Sequence, residues 1–224
     1  MDELLRATGV YKHYVLGDTH IEVLKGVDLG VVRGEIVAVV GASGVGKSTL
    51  LHIMGGLDHP ASGTIVIDGV DIFSLSDTAR AKFRNRQIGF VFQFHHLLRD
   101  FTALENVMMP LMIAGISHDE ARVPAQKLLC DIGLEKRLAH LPSELSGGEA
   151  QRVAVARALV TQPAVVLADE PSGNLDVARS AELHALIWEL VRTRHQTCII
   201  VTHDQHLAAR ADRVVEMEDG RLLA

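Results

Sequence analysis

Apolar runs, turn residues and amphipathic stretches alternate along the chain, and the period of the alternation changes twice. Up to about residue 94 the pattern favours strands. Leu4 to Tyr14 and His20 to Leu29 interleave apolar and polar positions as half-buried strands do, with Gly17-Asp18 as the turn between them. Arg33-Gly34 turns into Ile36-Val37-Ala38-Val39-Val40, a continuous apolar run that predicts a buried strand, and Thr49 to Met54 can open a helix behind it. Thr64 to Ile67 followed by Asp68-Gly69 predicts another strand and turn. Asp77 to Arg86 reads as a polar helix, and Gln87 to Phe92 as a strand ending at Gln93.

Between about 95 and 160 the period becomes helical. Thr102-Ala103-Leu104-Glu105 and Ser117-His118-Asp119-Glu120 both have the spacing of a capping box, in which a hydroxyl and a carboxylate three residues apart satisfy each other's backbone amides. They predict helices through about Ala114 and towards Asp131, the second closed by Gly133. Ser146 and Glu149 repeat the spacing ahead of an apolar helix through Val160. Strand patterning then returns in Ala164 to Ala168 and Thr197 to Thr202, separated by a helix that Asp176 can cap and that runs through Arg192. Arg213 to Met217 and Arg221 to Leu223 flank a turn at Asp219-Gly220. The reading is an α/β chain of one domain over 1–224, with a helical subdomain at 95–160 set between the strand-forming parts, 1–94 and 161–224.

Composition adds little to this. The chain has 224 residues, 48% hydrophobic and 22% charged, enough for a sizeable core. Net charge is −6 with no block of Lys and Arg, so no nucleic-acid partner is expected. Cys130 and Cys198 show no metal or redox spacing and sit among apolar residues, so both are expected as buried thiols. Met1 to Leu5 has none of the character of a signal peptide, and no apolar run reaches the ~18 residues of a membrane span. A soluble, intracellular chain is expected, with any membrane role supplied by a partner. The adjacent His95 and His96 cannot readily face one ion, and no carboxylate or cysteine stands at ligand spacing.

Candidate chemistry centres on Gly41-Ala42-Ser43-Gly44-Val45-Gly46-Lys47-Ser48, which fits the pattern G-x-x-x-x-G-K-S/T between a strand and a helix that begins at Thr49. Glycines let the backbone curl so that N–H groups point inward, and the helix start adds its positive dipole. Lys47 can then reach the β- and γ-phosphates and the Ser48 hydroxyl can hold Mg²⁺. An ordinary glycine turn is the competing reading. Asp169-Glu170 ends a buried strand; paired acids often mark a solvated turn, but at the C-terminal edge of a parallel sheet they meet the ligand. Gly147-Gly148 in the first turn of a helix costs roughly 1 kcal/mol per residue relative to Ala, which makes sense where an anion approaches closely. Tyr14 reads on its own as a half-buried strand residue, and His203 as a lone histidine whose interest is its place at a strand end.

The order Tyr14, the loop at 41–48, Gln93, Leu145-Ser146-Gly147-Gly148-Glu149, Asp169-Glu170, Asn174-Leu175-Asp176 and His203 resembles the ATPase subunit of ABC transporters over nearly the whole chain. The resemblance implies a P-loop NTPase with a RecA-like core, an antiparallel β subdomain and an inserted helical subdomain, acting as a homodimer that closes head to tail on two ATP molecules. It implies that Tyr14 stacks on adenine and that the loop from Gly41 to Thr49 cradles the phosphates. Ser48, Asp169 and Gln93 would serve Mg²⁺, Glu170 would polarise the attacking water, and His203 would contact the γ-phosphate. Ser146, Gly147 and Gly148 would cap the γ-phosphate of the opposite subunit, and Asp176 would belong to the loop joining the two sites. Integral membrane permease subunits are the implied partners, which would hold the chain peripherally on the cytoplasmic face of the inner membrane. The segments Gln93 to Val107 and Pro142 to Glu149 are similar to those of lipoprotein-releasing members, with departures at Arg99-Asp100, Ala150 and Ser172. Macrolide-efflux and cell-division ATPases share this look. A nucleotide-sensing module without turnover is the alternative of another class, against which the intact Glu170 argues.

Overall fold

The computed structural model describes residues 3–17 and 19–223. Asp18, half of the predicted first turn, and Met1, Asp2 and Ala224 lie outside the described residues. In chain order the elements are β1 (Glu3–Leu16), β2 (Thr19–Val32), β3 (Ile36–Val40), α1 (Lys47–Met54), β4 (Ser62–Ile67), β5 (Val70–Asp71), α2 (Asp77–Gln87), β6 (Ile88–Val91), α3 (Ala103–Ile113), α4 (His118–Asp131), α5 (Gly147–Leu159), β7 (Val165–Asp169), α6 (Val177–Thr193), β8 (Thr197–Thr202), α7 (Gln205–Ala208), β9 (Arg213–Glu218) and β10 (Arg221–Leu222).

These strands make two sheets. One is antiparallel, in the order β2-β1-β4-β5. The other has the order β10-β9-β3-β8-β7-β6 and is parallel from β9 to β6, with β10 antiparallel at its edge. Successive side chains of a strand point to opposite faces, and this divides the apolar runs between two large cores, with Ala38 and Val40 of β3 in a third, small cluster with Ala208. Val37, Val39, Val165, Leu167, Ile199 and Val201 pack with α1 and the antiparallel sheet. Ile36, Val166, Ala168, Cys198 and Ile200 pack on the other side with α3, α4, α5 and α6. The strands are apolar throughout because both faces are covered. The helical stretch is therefore joined to the sheet by one contiguous core. No helix among the described residues is long and apolar enough to cross a membrane.

Local signals place most boundaries. Thr102, Ser117 and Ser146 each form the predicted capping box with the glutamate three residues on, and Asp176 caps α6 through the Arg179 amide. Several details differ from the sequence reading, among them the start of α1 at Lys47 rather than Thr49. The strand expected from Gln87 is shorter, because α2 keeps Gln87 and β6 starts at Ile88. The two-residue β5 and the four-residue α7 are too short to show a period. Cys130, expected to be buried, is exposed, whereas Cys198 is buried. The inward stripe of α4 is Ala121, Ala125, Leu128 and Leu129, and one further residue turns the chain by about 100°, out of the core.

Ile199 lies fully buried on β8, between β3 and β7. Ile199→Ala is expected to cost about 3 kcal/mol, read as a lower urea midpoint with an unchanged slope of the unfolding transition.

Candidate nucleotide site

Because β3, β6, β7 and β8 are parallel, their C-terminal ends reach the same edge of the sheet, where such folds bind ligands. A cleft of about 660 Å³ opens there, lined by Ser43, Gly44, Gly46, Lys47, Ser48, Thr49, Gln93, Glu170 and His203, with Val23 from β2. The loop after β3 runs into α1 through Gly46, at φ +108°, where a Cβ would stand 2.8 Å from the Val23 carbonyl oxygen; glycine is required on both counts. Gly41 is as crowded, since a Cβ there would come within 2.2 Å of the Met217 carbonyl. Val45 packs partly buried against the core beneath the loop.

The start of α1 is unlike that of the other helices. Gly46 offers no side-chain cap and the first turn holds no acid, whereas each of the other six α-helices among the described residues accepts a side-chain cap. The first amides of a helix have no partner within it, so here they and the positive end of the dipole face the cleft. Lys47 is buried, and its Nζ donates to the carbonyls of Gly41 and Ala42, both at 2.8 Å.

Opposite stand the acids of β7. Ser48 Oγ donates to Asp169 Oδ1 at 2.9 Å. Burial raises the Asp169 pKa, and Glu170 adds to the rise, while the Ser48 bond, His52 and Lys47 oppose it. A desolvated carboxylate beside a hydroxyl is a set of hard oxygen donors, which suits Mg²⁺. Glu170 adopts a left-handed backbone, φ +43°, a strain of about 1 kcal/mol or more of the kind stored at functional sites. Its Oε2 accepts from Thr202 Oγ1 at 3.0 Å, and its Oε1 lies 2.8 Å from His203 Nδ1. A carboxylate only accepts, so the imidazole donates. Gln93 Nε2 donates to Asn174 Oδ1 at 3.2 Å, and the Gln93 main-chain carbonyl accepts from Asn174 Nδ2 at 3.0 Å.

The remaining sequence-predicted residues do not line this cleft. Tyr14 sits to one side, exposed on β1, its hydroxyl donating to Asp58 Oδ2 at 2.8 Å and its ring under Lys12 Nζ at 4.8 Å. Burial and the Asp58 bond raise its pKa. Ser146, Gly148 and Glu149 line a separate shallow pocket with Arg152, Arg179 and Glu182. Leu175 and Arg179 flank Gly147 and Gly148, which brings that turn beside the loop holding Asp176. Sequence reasoning missed Val23, Thr202 and His52, whose Nε2 stands 3.7 Å from Asp169 Oδ2. Thr202 was in view only as the residue before His203; Val23 and His52 carry no local signal. His95 and His96 are tied into the loop after Gln93, their carbonyls accepting from Arg157, each at 2.7 Å.

A glycine loop feeding an uncapped helix, with strand-end acids across the cleft, defines a nucleoside-phosphate-binding protein of the P-loop NTPase fold. The chain belongs to the ABC transporter family, whose model matches residues 24–173. It is 56% identical, over its full length and that of the relative, to "Lipoprotein-releasing system ATP-binding protein LolD" of Geobacter metallireducens. It is 58% identical to the protein of the same name from Porphyromonas gingivalis, covering 91% of this chain and 93% of that one. A solved structure described as a dimeric bacterial ABC transporter cassette superposes with a TM-score of 0.91 at 39% identity, covering 99% of this chain and 97% of the other. Another, described as a dimeric post-hydrolysis state bound to ADP and Pi, has a TM-score of 0.90 at 38% identity over the same shares.

The glycine turn at 146–149 is held by a charge. Arg137 Nε donates to Glu149 Oε1 at 2.7 Å while Glu149 Oε2 accepts from the Ser146 amide at 2.8 Å. The Arg137 bond first, then those to Ser146, push the Glu149 carboxyl down from 4.5 to about 2. A carboxylate with a lowered folded pKa adds stability above its unfolded value, lost as pH falls through the folded one. Carboxyl-carbon NMR titration should give a Glu149 midpoint near 2, and Arg137→Ala should move it up towards 4.5.

Proposed function

We propose that this chain is the ATP-hydrolysing motor subunit of a transporter that releases lipoproteins from a bacterial inner membrane, working as a pair of copies that close on ATP. The observation that carries the reading is the division of the phosphate-binding parts. Lys47, Ser48, Gln93, Glu170 and His203 share one cleft, while Ser146 and Gly148 open onto another pocket. A single copy thus presents two half-sites, and two copies arranged head to tail would complete both. The names of the relatives, and their match along the whole chain, support the lipoprotein cargo over other loads.

Phosphoryl transfer to water asks a protein for positioning and for neutralisation of charge. The open amides of α1 and the loop hold the β- and γ-phosphates, and Lys47 exchanges its loop carbonyls for phosphate oxygens. Ser48 and Asp169 would hold Mg²⁺, with Gln93 beside it; when bound, the ion neutralises phosphate charge. Glu170 accepts a hydrogen bond from the attacking water. His203 is fixed by Glu170 through Nδ1, and as an imidazolium it would donate from its other ring nitrogen to the γ-phosphate. Ser146, Gly147 and Gly148, at the capped start of α5, bring a second helix N-terminus to the same phosphate from the partner copy. Tyr14, held upright by Asp58, offers a ring face to adenine. ATP favours the closed pair because it touches both copies, and loss of the γ-phosphate removes that advantage. With no membrane-crossing helix among the described residues, attachment to the cytoplasmic face of the membrane would come through permease subunits, with the segment from Gln93 to Val107 as the part that meets them.

Glu170→Gln is expected to keep ATP binding, lower turnover at least about 100-fold and accumulate an ATP-bound dimer, measured by phosphate release and light scattering. An ATP-saturated variant that scatters as a monomer would count against the paired site. Lys47→Ala should weaken ATP binding about tenfold or more, the worth of a charge-assisted bond, by titration calorimetry.

A further inference from the structure

Behind the catalytic pair lies a buried imidazole that the mechanism above does not use. His184, on the inner face of α6, is 7% exposed. Its Nε2 is 2.6 Å from Ser172 Oγ and its Nδ1 is 4.0 Å from Asp204 Oδ2. Ser172 follows Glu170 by two residues, and Asp204 follows His203 directly. The Asp204 carboxylate already serves α7, where Oδ1 accepts from the amides of His206 (2.8 Å) and Leu207 (3.2 Å), and this leaves Oδ2 facing the imidazole. On the cleft side, Glu170 meets Thr202 and His203, and the Asp204 amide returns to Thr202 Oγ1 at 3.0 Å.

The two chain segments are thus linked on both sides. In front, Glu170 bonds the end of β8; behind, His184 spans Ser172 and Asp204. Burial pushes the His184 pKa down, Asp204 opposes this and Arg210 reinforces it, which favours the neutral ring. The nearby carboxylate favours the proton on Nδ1, and Nε2 then accepts from the Ser172 hydroxyl. An apolar side chain could fill the same volume. A polar one buried here is retained at the cost of its desolvation, and it touches the only two segments that carry Glu170 and His203.

We propose that His184 is a positioning residue for hydrolysis, which sets the segment after Glu170 against the segment after His203 and so holds the two catalytic side chains in register. The role rests on the assignment of Glu170 and His203 made above. It makes no contact with the phosphate loop, so nucleotide affinity should not depend on it.

The test uses the full chain with His184→Leu, His184→Gln, Ser172→Ala and the double variant Ser172→Ala/His184→Leu. His184→Leu should lower kcat about tenfold, within what misplacement of a catalytic group costs, with KM for ATP unchanged. His184→Gln, whose amide can still meet the Ser172 hydroxyl, should recover most of the loss. Ser172→Ala should reproduce it, and the double variant should be no worse than either single one. Wild-type kcat in His184→Leu, or losses that multiply in the double variant, would overturn the proposal. A second readout is independent of turnover: the imidazole nitrogen resonances of His203 should shift alike in His184→Leu and Ser172→Ala and return in His184→Gln. If the wild-type chain hydrolyses no ATP, the ATPase reading fails, and the His203 resonances alone decide; resonances unmoved by either variant would sink the linkage.

Discussion

The constraint on which this structure depends is the open amino end of α1. Every other α-helix among the described residues closes its first turn with a side chain, and this one closes it with nothing. A helix start with a buried lysine behind it and no acid in its first turn is electrostatically incomplete until an anion arrives. The fold around it answers to that need. Glycines at 41 and 46 bring the loop hard against neighbouring backbone, and the parallel strands carry Asp169 and Glu170 to the same edge of the sheet.

The parallel sheet also explains why the groups proposed for catalysis come from distant parts of the sequence. Gln93, Asp169, Glu170 and His203 each sit at or just past the C-terminal end of a different strand or share one, so a common edge assembles them without any local motif. The helix that presents Ser146 and its glycines belongs to the other core and points elsewhere. On the function proposed above, a nucleotide that touches both sets recruits a second polypeptide, and the energy of phosphate binding becomes available to move one chain against another.

How much of this was legible in the sequence follows from the range of each interaction. The glycine loop, the apolar strands and the capping boxes at Thr102, Ser117 and Ser146 depend on residues within a few positions of each other, and they stand where the sequence puts them. The bonds that set the site are long-range. Nothing near Glu170 announces Thr202, nothing near Tyr14 announces Asp58, and Arg137 reveals its hold on Glu149 only once α5 has docked. Cys130 shows the same limit from the other side: apolar neighbours in sequence did not make it buried, because each further helical residue turns about 100° around the axis and carries it past the edge of the inward stripe.

That exposed thiol has a practical consequence. Of the two cysteines, Cys198 is sealed in the central sheet and its thiol is pushed up to about 12, so it has almost no thiolate with which to react. Cys130 stands alone on the outer side of α4. The native polypeptide therefore carries a single addressable handle on its helical part, where a fluorophore or spin label could test whether that part moves when nucleotide binds, without any residue being replaced.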